Sequence, residues 1–404
     1  MNKKQVSVLF VSIGGYGRYY LETMFNEISV EKANVCGVVD PYAEKAALFP
    51  EIQRRGIPIF ADIEDFYRLG HTADLVVISS PIHFHVLQSC VALKNGSQVL
   101  CDKPIGATVQ EVDELIKIRD ESGKWVMIGY QWSYSKAIQD LKKDIMKGKL
   151  GRPFRLKTLC LWPRDDTYYQ RNGWAGRIKD NSGKWVLDSP VNNAVAHYLH
   201  NMFYVLGQEV NSSAIPKEVT AECCRANPIE NYDTAACRIQ TTKNVEILFY
   251  VSHATLDEIG PIFHFEFEKA VVSYGKSSQE IVARFKNGSE TRYGRPDDTP
   301  QFSKLFQAVD TVIKPQPLLC PPEAARSQTV AMNGVQESAG EIINFPKTLV
   351  HRDKEKRRFW VTDLSRDLEY CYLHNILPSE ARMKWGRKGK TVHLDNYNFF
   401  PSHK

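Results

Sequence analysis

The sequence has no C-x-x-C pair, no low-complexity segment, no internal repeat and no apolar run near the ~20 residues of a bilayer span. Without such a run, no membrane partner is expected. The nine cysteines, at 36, 90, 101, 160, 223, 224, 237, 320 and 371, are odd in number and scattered, and adjacent Cys223 and Cys224 lack zinc-site spacing. They read as reduced thiols of a cytoplasmic protein. A large charge of one sign is also missing. The 52 Lys and Arg stand against 47 Asp and Glu, a formal +5, which is too little to mark a nucleic-acid binder. Lys3 and Lys4 ahead of an apolar stretch imitate a secretory leader, but the stretch ends in Gly14, Gly15 and Gly17 with no small-x-small site, so a first β-strand is expected. What remains is globular composition, 43% hydrophobic and 25% charged, over 404 residues, enough for two domains and a tail.

Residues 5–11, QVSVLFV, read as a strand buried on both faces. Ser12-Ile13-Gly14-Gly15-Tyr16-Gly17 follows, and then a stretch with helical apolar spacing. This order fits the dinucleotide fingerprint with Ser12 in place of the first glycine. Gly14 would let the backbone approach a pyrophosphate, and Gly17 would let helix and strand pack closely. A second strand, NVCGVVD, closes on Asp40, where a carboxylate would accept hydrogen bonds from ribose hydroxyls and repel the extra phosphate of NADP. Pro41 and Tyr42 follow it rather than a basic pair, so the cofactor expected is NAD. Further strands at 74–80 and 97–102 alternate with helical stretches, which predicts a doubly wound parallel sheet through about residue 130.

The segment Ser80-Pro81-Ile82-His83-Phe84-His85, followed by VLQSCVALKNGSQVLC and Asp102-Lys103-Pro104, resembles the Gfo/Idh/MocA oxidoreductases, in which a T-P-N-x-x-H turn precedes a helix, a strand and an E-K-P signature. LDSPVNNAVAHYLHNMFYVLG (187–207) is similar to the family helix that carries a catalytic histidine, and the resemblance runs through most of 5–340. It implies an α/β fold: an N-terminal Rossmann domain (1–132), a C-terminal α+β domain with an open, mainly antiparallel sheet (133–345), and a tail (346–404) packed on the body or a second subunit. It also implies cofactor contacts from Ser80, Pro81, His85, Asp102, Lys103 and Gln131, beside Ser12, Gly14, Gly15, Tyr16, Gly17 and Asp40. Lys103 would stabilise oxygen charge as hydride leaves, and His197 would take the hydroxyl proton. The family often has an aspartate one helical turn before that histidine. Asn193 stands there instead, so either it orients His197 or the sugar, or the proton path differs. His83, His85, His197 and His200 show His-x-His and His-x-x-His spacings, but the family mostly needs no metal and none is expected.

A run from Trp162 to Gly176 holds Trp162, Arg164, Tyr168, Tyr169, Arg171 and Trp174. Rings that pack on sugar C–H faces beside guanidinium groups suit a carbohydrate wall, and Arg164 and Arg171 suit a carboxylate clamp. A surface loop packed for stability is the other reading. Residues 245–255 and 261–274 read as half-exposed antiparallel strands, with one face free for substrate and the other for a partner subunit in a dimer or tetramer. His253 is a packed sheet residue or a pocket residue, and the turn Glu230-Asn231-Tyr232-Asp233 could add polar contacts. Basic runs at 351–359 and 386–390 read as solvated faces between aromatics that tie the tail down. The expected activity is NAD-dependent oxidation of a sugar or sugar derivative. Two alternatives stand beside it: a redox-neutral glycoside cleavage through transient oxidation, and a non-catalytic NAD or sugar sensor.

Overall fold

The continuous apolar runs near the N-terminus become strands with no solvent face. In the computed structural model, which describes residues 5–275 and 278–402, β1 (Val6–Val11) and β4 (Leu75–Ile78) are almost wholly buried. Lys3 and Lys4 lie outside the described residues. Together with β2 (Ala33–Val39), β3 (Ile59–Phe60), β5 (Gln98–Cys101) and β6 (Val126–Ile128) they form a parallel sheet in the order β3-β2-β1-β4-β5-β6. The order reverses between β1 and β4, where open α/β sheets leave a ligand crevice at the strand ends. Gln131 falls past the short last strand, in a 3-10 turn over Gln131–Tyr134.

The second sheet is mixed. Its strands are β7 (Pro153–Leu161), β8 (Pro216–Arg225), β9 (Thr234–Thr241), β10 (Glu246–Ser252), β11 (Ile259–Phe267), β12 (Ala270–Gly275), β13 (Ser278–Phe285), β14 (Glu290–Gly294) and β15 (Ile343–Asn344), in the order β14-β13-β12-β11-β7-β10-β9-β8-β15. The β7–β10 and β8–β15 pairs are parallel and the other pairs along this order are antiparallel. A hairpin of β16 (Val350–Asp353) and β17 (Arg358–Val361) stands apart, and β18 (Val392–His393) pairs with β8.

The chain divides into two compact units: 1–106, 110–134 and 299–325 form one, and 107–109, 135–298 and 326–404 the other. The described part of the tail, 346–402, therefore clusters with the second sheet. Helix Leu364–His374 lays Leu364, Leu368, Cys371 and Tyr372 on Leu159, Leu161, Leu248 and Tyr250. This corrects the half-exposed reading of 245–255. β10 is buried at every position after Glu246 because the tail covers a face that the strand pattern left open. β11 does alternate, with Phe263, Phe265 and Phe267 inward. None of the nine cysteines is in a disulfide, and among the described residues no helix is long and apolar enough to cross a membrane.

Helix Ala196–Val205 is buried from end to end except at His197. His200 stacks on Tyr204, and burial first, then the Lys142 charge, pushes its pKa down to about 3. An unfolded histidine takes up its proton near pH 6.5. The unfolded state therefore binds more protons between about pH 6.5 and 3, and stability falls as pH falls through that window, by about 1.4 kcal/mol per pH unit for the one proton. Urea unfolding at stepped pH should show a shallower acid slope for His200→Gln. An unchanged slope would remove His200 from the acid sensitivity.

Candidate active site

The residues singled out from the sequence fall into two groups, one in each compact unit. In the first unit they sit at strand ends around the β1–β4 reversal. Ser12 takes a left-handed conformation at φ 66°, as does Gly15 at φ 50°. A Cβ on Gly17 would lie 2.2 Å from the Ser12 carbonyl oxygen and 2.4 Å from Ser79 Oγ, so glycine is what lets helix Gly17–Glu27 start this close to the strand. Around Gly14 and Gly15 a Cβ would meet nothing within 4 Å. That open backbone, leading to a helix start without a side-chain cap, is the cradle a pyrophosphate requires. The Asp40 carboxylate accepts the Ile13 N–H at 3.0 Å and the Tyr42 N–H at 2.8 Å, which fixes it at the end of β2. Each oxygen keeps a lone pair for a ribose hydroxyl, so the set fits NAD.

Behind this turn lies a buried ion pair. Lys304 Nζ donates to Asp102 Oδ1 at 3.0 Å and to the Gly129 carbonyl at 2.9 Å, and Tyr20 OH donates to the same Asp102 oxygen at 3.0 Å. Burial acts against the Lys304 charge, yet Asp102 and Tyr16 outweigh it and raise its pKa. The half-buried Tyr16 ring packs on Phe302 and Tyr20, with its hydroxyl accepting from Gln301. His85 is 2% exposed; its Nδ1 lies 2.7 Å from the Pro104 carbonyl and its Nε2 2.7 Å from the Ser80 carbonyl. Both ring nitrogens face protein groups, so His85 braces the Lys103–Pro104 turn. Pro81 precedes helix Ile82–Lys94, and Ser80 Oγ donates to Gln88. Lys103 is half-buried between these two anchors.

In the second unit the run after β7 forms an alternating stack of rings and guanidinium groups. Arg164 lies 5.6 Å from the Trp162 ring centre and 5.1 Å from that of Tyr168. Arg171 lies 3.8 Å from Tyr168 and 5.2 Å from Trp174. Trp162 also meets Tyr198 edge to face. Tyr169 OH approaches His253 Nδ1 at 3.4 Å, and burial together with Arg164 and Arg171 holds His253 well below its usual pKa, hence neutral. Asp188, 3.9 Å from Arg171, accepts the Gly176 N–H at 2.6 Å and the Asn193 side-chain amide at 2.7 Å. Asn193 lies in the turn before helix Ala196–Val205, not on the helix, which corrects the expected one-turn spacing to His197. Among the described residues no group of His, Cys, Asp and Glu is arranged to hold a metal ion.

Residues 6–130 match the model of an oxidoreductase family with an NAD-binding Rossmann fold. Over this stretch the chain is similar to the NAD-binding domain of the Gfo/Idh/MocA oxidoreductases. Inositol 2-dehydrogenase of Salmonella typhimurium strain LT2 is 29% identical over 147 residues, 35% of this chain and 42% of that protein. The matched stretch thus spans less than half the relative's length. 2,7-Anhydro-N-acetylneuraminate hydratase of Mediterraneibacter gnavus is 24% identical over 217 residues, 54% of this chain and 52% of that one. In fold, the WlbA dehydrogenase of Bordetella pertussis, crystallised with NADH and UDP-GlcNAcA, aligns at TM-score 0.69 and 18% identity over 84% of this chain and 96% of that chain.

Lys304 and the Asp188–Asn193 contact escaped the sequence reading. Lys304 is one lysine in an ordinary amphipathic helix, and its partner Asp102 is 202 positions away. In the NAD-binding domain, Asp40→Ala should weaken NADH binding about tenfold and narrow the preference over NADPH, because hydrogen bonds to a charged acceptor contribute about 1.5–3 kcal/mol each. Fluorescence titration with both nucleotides measures it. Equal NADH affinity in the variant would take Asp40 out of the ribose site.

Proposed function

We propose that the protein is an NAD-dependent oxidoreductase that removes hydride from a hydroxyl-bearing carbon of a sugar or cyclitol. The observation that carries this reading is Lys103. A half-buried ammonium follows β5 of an NAD-binding domain, with Asp102 tied to Lys304 on one side and Pro104 tied to His85 on the other. When bound, NAD supplies the hydride acceptor. Lys103 orients the reacting hydroxyl and stabilises the charge that develops on its oxygen. His197 takes the hydroxyl proton, and Asn193, its amide turned to Asp188, orients the histidine or the substrate. The ring and guanidinium stack packs on C–H faces and reads hydroxyl groups.

A redox-neutral cycle is the second reading, favoured by the hydratase relative. There a proton leaves the carbon next to the transient ketone, the substituent leaves the carbon beyond it, water adds across the new double bond, and the hydride is returned to the ketone. One experiment separates the two. NAD and NADH are quantified in the denatured, desalted protein, and reduced nicotinamide is then followed with free sugars, cyclitols and glycosides. Net NADH formation supports the oxidoreductase. Retained cofactor with substrate conversion and no net NADH supports the cycle. A protein that neither binds NAD nor converts any of these compounds would overturn both and leave the sensor.

A further inference from the structure

The basic run at 351–359 has no part in the site so far, and as the β16–β17 hairpin it borders a cavity of about 510 Å³. Lining it are Pro163, Arg164, Asp165, Thr167 and Tyr168 from the loop after β7, with Lys356 and Arg358 from the hairpin. Hairpin and loop are clamped together. Arg352 donates to both oxygens of Asp166, Arg357 lies 3.7 Å from that carboxylate, and the Asp166 N–H donates to the Arg357 carbonyl at 2.9 Å. Asp166 is thereby occupied by two cations that do not line the cavity. Asp165, the one acid that does, caps helix Asp166–Gln170, accepting from Thr167 Oγ1 at 2.6 Å and the Tyr168 N–H at 3.0 Å.

That leaves three cations with no ion-pair partner among the described residues. Arg164 donates weakly to the Pro163 carbonyl, and Arg358 donates to the Leu256 carbonyl at 2.9 Å. The buried Nε of both arginines has no hydrogen-bond partner among the described residues. Two arginines without an ion-pair partner among the described residues and an exposed lysine line one cavity, and such a set is what an anionic oxygen group satisfies. The volume lies in the range of small-molecule sites. Arg164 and Tyr168 also belong to the ring and guanidinium stack, so an anion here would be continuous with the sugar wall.

We propose that this cavity binds the anionic group of the substrate, a carboxylate or a phosphate, so that the sugar acted on is a sugar acid or a sugar phosphate. The inference rests on the oxidoreductase reading for the word substrate, but the anion site itself does not.

Isothermal calorimetry of the full chain at low ionic strength tests it, with inorganic phosphate and glucuronate as separate probes. One anion is expected per chain, weakening as salt rises. The Lys356→Met, Arg358→Met double variant should bind about tenfold or more weakly, and Arg358→Lys, which keeps the charge, should recover part of that loss. Lys354→Met on the same hairpin, outside the cavity, should bind as the wild type does. If the double variant does not fold, Lys356→Met at its exposed position should still weaken binding about threefold or more. Tighter phosphate binding identifies a sugar phosphate, and tighter glucuronate binding a sugar acid. No binding to the wild type, or equal binding by the double variant, overturns the site. Since calorimetry needs no turnover, anion binding that the variant loses, in a protein that oxidises no sugar, would support the site while ending the oxidoreductase reading. Turnover of neutral sugars without anion binding would do the reverse.

Discussion

Lys103→Met is expected to lower kcat by about 10²–10³-fold, the usual loss when one preorganised electrostatic group is removed from developing charge. NAD affinity should stay close to wild type. The change removes an ammonium and keeps a side chain of similar length, and neither the glycine turn nor Asp40 contacts depend on it. The split matters because the flanking residues have anchors other than Lys103. Asp102 is held by Lys304 and Tyr20, and the Pro104 carbonyl by His85. A parallel loss of NAD binding would make Lys103 a cofactor anchor rather than a catalytic group. Unchanged turnover would remove it from the chemistry.

Lys304→Met should have the largest effect on stability, about 3–5 kcal/mol, because removing one partner of a buried pair strands the other charge. The Lys304 side chain is 0% exposed and that of Asp102 is 11% exposed. Gly129 belongs to the same arrangement, since a Cβ there would sit 2.7 Å from Asp102 Oδ1 and 3.1 Å from Lys304 Nζ. Urea unfolding of Lys304→Met, Asp102→Asn and the double variant forms a cycle in which the double variant should lose less than the sum of the singles. Simple additivity would show the pair to be uncoupled. NAD binding measured on the same proteins tells whether the pair also supports the turn, because Asp102 directly precedes Lys103.

The glycine turn, the end of β2 and the β5 strand end were legible because they are local. Each joins a strand whose apolar run is continuous to a residue that the local backbone accounts for, as Gly17 does by its close approach to Ser12 and Asp40 by accepting the Ile13 and Tyr42 N–H groups. β10 was misread for the complementary reason. Strand patterning records whether a face is apolar, not which later segment covers it, and the cover arrives from Leu364–His374 more than a hundred residues on. Asn193 was placed on a helix because spacing alone does not show that the helix starts at Ala196.

By itself, then, the sequence determined the parallel sheet and its strand, glycine turn and helix order, since these follow from apolar continuity and short motifs. Tertiary structure alone decided the partners: Lys304 for Asp102, Asp188 for Asn193, His85 for Pro104, and the tail hairpin for the loop after β7. The physical reason is that buried polar groups must find partners wherever the chain brings them, and that choice is made by packing across the chain rather than by neighbours in it.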